Sequence, residues 1–147
     1  MTANEASYAV IGAAIDIHRA IGPGLLESVY ERLLVYELRV RGLHVQEHVP
    51  VPLVYKGVFL EAGYRIDLLV EQKLIVEIKA VENLAPVHFA QPLTYLRLSG
   101  HKLDLLINFN TPTLKNDIHR IINSHSSPPF FPLSSSRPLR VPLCVFA

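Results

Sequence analysis

Tyr64-Arg65-Ile66-Asp67-Leu68-Leu69-Val70, then Glu71-Gln72-Lys73, then Leu74-Ile75-Val76-Glu77-Ile78-Lys79-Ala80 is the stretch whose reading decides the fold. Both arms are rich in Ile, Val and Leu and read as strands, and the polar residues between them make the turn. With Glu71-Gln72-Lys73 as the loop, Val70 pairs with Leu74, Leu68 faces Val76, Ile66 faces Ile78 and Asp67 faces Glu77. Opposed Cβ atoms lie roughly 4.5–5.5 Å apart. Side chains alternate along a strand, so Asp67, Glu77 and Lys79 share a face. A two-residue loop would slip the register and separate the two carboxylates. The apolar pairs are satisfied by the odd loop.

Facing carboxylates repel, and desolvation sharpens the repulsion. Lys79 is one group that can offset them. A divalent cation is the other, because Mg²⁺ is held by one or two carboxylates plus water and substrate phosphate. A surface hairpin with solvated charges and an ordinary Lys79 ion pair is the competing reading. Both faces of both arms are largely apolar, which suits the middle of a sheet better than its wet side.

Asp67, followed on the next strand by Glu77-Ile78-Lys79, resembles the PD-(D/E)XK nuclease superfamily. Upstream, Gly24-Leu25-Leu26-Glu27-Ser28-Val29-Tyr30 matches the signature of the GxxExxY family, a bacterial branch of it. Downstream, Gln91-Pro92-Leu93-Thr94-Tyr95 resembles the QxxxY motif of RecB-like members. The likeness runs from about Glu5 to Asn123, with the motifs in the expected order.

The resemblance implies an α/β, restriction-endonuclease-like core with a mixed central β-sheet flanked by helices. It implies a metal-dependent nuclease hydrolysing phosphodiester bonds, in DNA rather than RNA, with Mg²⁺ or Mn²⁺. Asp67 and Glu77 would hold the metal with the backbone carbonyl of Ile78, and Glu27 would complete the shell directly or through water. Lys79 would orient the attacking water, and Gln91 and Tyr95 would orient Lys79, water or substrate. Tyr30 would pack beneath the site. His18 stands either as a helix C-terminal histidine or as the extra histidine ligand of some RecB-like relatives. The alternative is a non-cleaving nucleic-acid-binding or accessory module that keeps the fold.

Bulk properties bound these readings. The chain has 147 residues, enough for one domain with a sizeable core. It is 50% hydrophobic and 18% charged, a globular composition. A net charge of +1 gives no global pull toward nucleic acid, so contacts must come from local bases. Arg19, Arg65, Arg97 and Lys102 are the candidates, and a homodimer or larger complex could supply further surface. Cys144 is the only cysteine, which excludes an intrachain disulfide and a Cys-based metal cluster. Nothing resembles a signal peptide, and no run approaches the ~18 apolar residues of a membrane span. A cytoplasmic protein with no membrane partner is the expectation.

In chain order, the spacing predicts a helix from about Glu5 to Ala20 and, past Gly22-Pro23-Gly24, a second from Leu25 to Arg41. Leu26, Val29, Leu33, Tyr36 and Val40 are its expected apolar contacts, and Gly24 is expected at a tight approach. Val45 to Tyr55 reads as a strand with an edge or bulge at Pro50 and Pro52. Val58 to Leu60 reads as the start of a strand continuing through a bend at Gly63 into the Asp67 arm. Glu82 is either an extra acid or a solvated charge. A helix follows from Pro86 to Leu98, with Pro92 either a kink in its interior or, if the helix starts near Gln91, an early-turn residue. Leu103 to Phe109 reads as a buried strand interrupted by Asp104, and Leu114 to Ile122 as a last helix. The nuclease-like domain thus takes residues 1–123. Residues 124–147 form a Ser/Pro-rich tail, expected to be poorly ordered, with apolar islands at Phe130-Phe131 and Val141 to Phe146.

Overall fold

The structure is a computed structural model and describes residues 1–61, 64–124 and 139–142. Two helices come first, α1 (Ala3–Ile21) and α2 (Glu27–Val40). Strands β1 (Val45–Pro50), β2 (Leu53–Tyr55), β3 (Val58–Glu61), β4 (Arg65–Val70) and β5 (Leu74–Lys79) follow. Helix α3 (Pro86–Ser99), strand β6 (Leu103–Asn108), a 3₁₀ turn at Leu114–Asp117, β7 (Ile118–Ile122) and β8 (Leu139–Pro142) complete the order. The main sheet is mixed and ordered β1-β4-β5-β6-β7, with only β5 and β6 parallel. A parallel pair needs a long crossover, and α3 supplies it.

Helices cover both faces of this sheet. On one side Val10, Ala14 and Ile17 of α1 and Tyr30, Leu34 and Leu38 of α2 pack on Leu68, Val70, Val76, Ile78 and Leu105. On the other, Tyr95 and Leu96 of α3 pack on Val51, Ile66, Leu69 and Ile75. A sheet covered twice explains the near-continuous apolar runs of β5 and β6. This is the α/β, mixed-sheet, restriction-endonuclease-like arrangement that the hairpin motif implies.

The hairpin register is as expected as far as Leu68–Val76. Val70 pairs with Leu74, Leu69 with Ile75 and Leu68 with Val76. Beyond it Asp67–Glu77 and Ile66–Ile78 are not ladder pairs. Ile66 packs in the layer beneath α3 while Ile78 packs beneath α1 and α2, because β4 changes face at Asp67. The three-residue turn works because Glu71 and Gln72 take left-handed backbone angles, with φ of 53° and 57°. Lys73 N–H then donates to Val70 O at 3.1 Å.

Several expectations are corrected. Leu114–Ile122 is not a helix: a 3₁₀ turn leads into strand β7, antiparallel to β6. Ile118 and Ile121 would share a helix face at i and i+3, but here they pack on opposite layers, as an odd spacing does in a strand. The open edge of β6 and the β-branched residues of the segment decide the matter. Val45–Tyr55 is two strands in two sheets, because Pro52 cannot donate to a ladder.

Strand β3 does not run into β4; it pairs with β2 in a three-stranded sheet with β8. The bend expected at Gly63 lies outside the described residues, as do Phe130-Phe131 and the segment from Leu143 onward. Within the tail, Leu139–Pro142 forms a strand parallel to β3, where little regular structure is expected from composition. Pro92 is inside α3, which starts at Pro86 and not at Gln91.

The buried stripe of α2 also differs. Leu26, Val29, Tyr36 and Val40 are exposed, whereas Tyr30, Glu31, Leu34, Val35 and Leu38 are buried. The i, i+4, i+8 series Tyr30, Leu34, Leu38 is the one that faces the sheet.

Candidate functional site

The two arms of the hairpin bring their acids together. Beyond the pair Leu68–Val76 the arms are linked by a side chain: Ile78 N–H donates to Asp67 Oδ2 at 2.9 Å. Glu77, on the neighbouring β5, is only 4% exposed. Its Oε1 is buried without a hydrogen-bond partner. Burial first, then the charges of Asp67 and Asp104, push the Glu77 carboxyl up to about 10, with Lys79 opposing them. A carboxylate in this place is unsatisfied until a cation or a proton arrives.

Glu27 comes from the start of α2, and the turn before that helix aims it. Gly24 has φ of 105°, an angle that favours glycine. A Cβ there would meet nothing within 4 Å, so Gly24 serves its backbone angle and not the close approach expected. The Tyr30 hydroxyl donates to Gly22 O at 2.6 Å and accepts from Leu25 N–H at 3.2 Å. Its ring stacks on Phe109, with centroids 4.5 Å apart and planes 12° off parallel. Tyr30 thus pins the loop that carries Glu27. Burial raises the Glu27 pKa, the charge of Lys79 and a hydrogen bond with the Ala80 backbone lower it, and Asp67 raises it. Glu27 therefore sits at the C-terminal end of β5, with Lys79 and Asp67.

Lys79 is half-buried at that end. The direct ion pairs among the described residues involve Arg39, Arg41, His48 and His119, and not Lys79. Its charge acts on Glu27 and Glu77 at longer range. Tyr95 is 9% exposed and approaches from α3. Burial, then the charges of Glu77 and Asp67, raise its pKa, which places its hydroxyl in the field of both acids. Gln91 lies one turn earlier on α3 and is half-buried.

His18 separates from this group. His18 Nε2 lies 2.8 Å from the carbonyl of Thr111, a structural bond that closes the end of α1. Glu82, Arg19, Arg65, Arg97 and Lys102 are exposed.

Three neighbours carried no local signal that marked them for the site. Asp104 on β6 is fully buried, with both carboxylate oxygens unpartnered. Burial and then Asp67 hold its pKa well above the usual carboxylate range. Its only trace in the sequence is an acid inside an apolar strand. Glu31 is buried on α2, raised by burial and by Asp67 and offset by His48. Asn108 ends β6 and anchors the segment after Lys79. Its amide donates to Val81 O at 2.9 Å and to Asp117 Oδ2 at 2.8 Å, and its Oδ1 accepts from Val81 N–H at 3.0 Å.

The donors gathered here are oxygens, which suits a hard cation. Among the described residues, no three His, Cys, Asp or Glu side chains converge as a ready-made metal cluster. The fit is that of a site with two carboxylates, whose remaining positions fall to backbone carbonyl, water and phosphate. Among the described residues no helix is long and apolar enough to cross a membrane.

No curated protein and no solved structure gave a match. The PD-(D/E)XK nuclease superfamily matches residues 4–121, a span that takes in nearly all of α1, the Asp67–Glu77–Lys79 hairpin and most of β7. The chain belongs to the PD-(D/E)XK nuclease superfamily.

Proposed function

We propose that the chain is a metal-dependent nuclease that hydrolyses phosphodiester bonds in DNA. The observation that carries this reading is Glu77: a buried acid with an unpartnered oxygen, next to Asp67, on the strand that ends in Lys79. Membership of a nuclease superfamily whose members typically use divalent metal ions supports it. The Gly24–Tyr30 stretch further supports a place in the GxxExxY branch.

Asp67 and Glu77 would hold Mg²⁺ or Mn²⁺ with the Ile78 carbonyl, and Glu27 would reach the same ion directly or through water. When bound, the cation supplies Lewis acidity toward the scissile phosphate. Lys79 offers an ammonium that orients the attacking water and offsets charge developing on the phosphate. Tyr95 gives a neutral hydroxyl that orients that water or a phosphate oxygen, and Gln91 an amide that does the same. Burial of the acids keeps bulk water from screening these charges.

The test is cleavage of end-labelled single- and double-stranded DNA by wild type, Asp67→Asn, Glu77→Gln and Lys79→Ala, each with Mn²⁺, Mg²⁺ or EDTA. Metal-dependent cleavage by wild type, lost in all three variants, is the expected result. Binding of DNA without cleavage under any metal condition would favour the accessory module. Cleavage of RNA alone would keep the reaction and change the substrate.

A further inference from the structure

The β1–β4 ladder is interrupted at one place. Glu47 pairs with Leu68 and Val49 with Ile66, but the position between them, His48 opposite Asp67, does not pair. The strands also change face there. Val45, Leu68 and Val70 pack in the layer beneath α1 and α2, whereas Val49 and Ile66 pack in the layer beneath α3. In a regular strand, residues two apart keep one face. Ile66 and Leu68 do not, and neither do Val45 and Val49. The backbone reason is His48, whose φ of 51° is left-handed. A non-glycine residue in that region is uncommon, and such strain persists only where surrounding contacts hold it.

One contact does so. His48 Nε2 lies 2.8 Å from Glu31 Oε1, and the Glu31 side chain is 10% exposed. A buried acid on α2 thus grips the side chain of the one strained residue of β1. The face change puts Asp67 between the two layers. From there its carboxylate meets Ile78 N–H on β5 and feels Glu27 and Glu31 from α2 as well as Glu77 and Tyr95 from the α3 side.

We infer that the Glu31–His48 pair is a positioning device for Asp67: it holds the left-handed turn in β1 that switches the face of β4 and aims the Asp67 carboxylate at Ile78 N–H. Neither residue touches substrate or metal in this account. The aim of Asp67 matters for chemistry only if Asp67 is a metal ligand, so that consequence rests on the proposed function; the positioning itself does not.

The experiment is amide hydrogen exchange by NMR on the metal-free protein. The probe is Ile78 N–H, referenced to Leu105 and Ile107 in β6. In Glu31→Ala, which releases His48, and in His48→Val, whose β-branched side chain resists a left-handed backbone, Ile78 should exchange at least tenfold faster while the β6 amides keep their rates. The double variant Glu31→Ala/His48→Gly should recover most of the wild-type protection, because glycine takes the left-handed angle without an anchor. Unchanged Ile78 exchange in Glu31→Ala overturns the inference, and so does a loss that glycine fails to rescue. If His48→Val does not fold, Glu31→Ala and its rescue decide alone.

The same variants are then melted against a Mn²⁺ titration. Where Mn²⁺ stabilises wild type, the single variants should need about tenfold more of it for the same shift, a tenfold change being 1.4 kcal/mol. If wild type itself does not respond to Mn²⁺, the metal reading fails, while the Ile78 result still judges the positioning.

Discussion

Asp67 Oδ2 accepts the backbone N–H of Ile78 at 2.9 Å, so the acid of one arm is tied to the chain of the other. This bond fixes the direction of one carboxylate oxygen and stands next to Glu77, which has an oxygen with no partner. On the proposed function, a site built this way is costly without a cation and is stabilised by one. Its pH behaviour, its stability and its metal response should follow from that imbalance.

The first consequence is for pH. The folded chain holds the Glu77 proton to about 10, and Asp104, Glu27 and Glu31 are raised in the same direction. An unfolded glutamate releases its proton near 4.3. The native state thus binds more protons than the unfolded one across this window, and stability falls as pH rises. The stabilising contribution is complete below about pH 4 and is lost on the way to pH 10. In EDTA the melting temperature of wild type should decline from pH 5 to pH 9, and Glu77→Gln should flatten the decline. Calorimetry over that range checks it; a rising melting temperature would contradict the burial argument.

Asp104 makes a second, separable prediction. Two unpartnered carboxylate oxygens at full burial cost stability and form no bond that offsets the cost. Asp104→Val, apolar and at home in a strand, should raise metal-free stability by about 1–3 kcal/mol. Urea melts would show it as a higher midpoint with an unchanged slope. A drop in midpoint would mean that Asp104 has a partner at work in solution.

Tyr30 tests the loop that aims Glu27. Tyr30→Phe keeps the ring on Phe109 and removes the hydroxyl that bonds Gly22 O and Leu25 N–H. The loss should be about 1–2 kcal/mol in a urea melt. The Mn²⁺ concentration needed for half-maximal cleavage should also rise, since Glu27 is less firmly placed. A stability loss with no change in metal requirement would separate the loop from the site.

The hairpin was legible because three local signals agree in it: two apolar arms, a polar three-residue turn and a register that pairs Val70 with Leu74, Leu69 with Ile75 and Leu68 with Val76. Alternation brings Asp67 and Glu77 near each other but misses the face change at Asp67, which sets that acid between the two layers. Strand β7 was not legible, because Ile118, Ile121 and Ile122 fit a helical stripe and only the open edge of β6 makes them a strand. The stripe expected on α2 differs from the buried one for a related reason: both faces of the helix carry apolar residues, and the sheet chooses Tyr30, Leu34 and Leu38. Asp104 showed only as an interruption, since nothing local says that a strand acid is fully buried. The Glu31–His48 pair depends on a backbone angle and on a contact between α2 and β1, neither of which has a local sequence pattern.

The measurement that bears most directly on the metal site is the melting temperature of wild type and Asp67→Asn, each with and without Mn²⁺. In the metal-free state Asp67→Asn removes the charge that helps raise the Glu77 pKa and retains a carbonyl oxygen that can accept the Ile78 N–H. It should be as stable as wild type or slightly more so. Mn²⁺ should raise the wild-type melting temperature, because a ligand that binds only the folded state stabilises it by mass action, and should leave Asp67→Asn unmoved. A strongly destabilised Asp67→Asn without metal, together with no Mn²⁺ shift in either protein, would contradict the metal site and return the hairpin to an ordinary structural role.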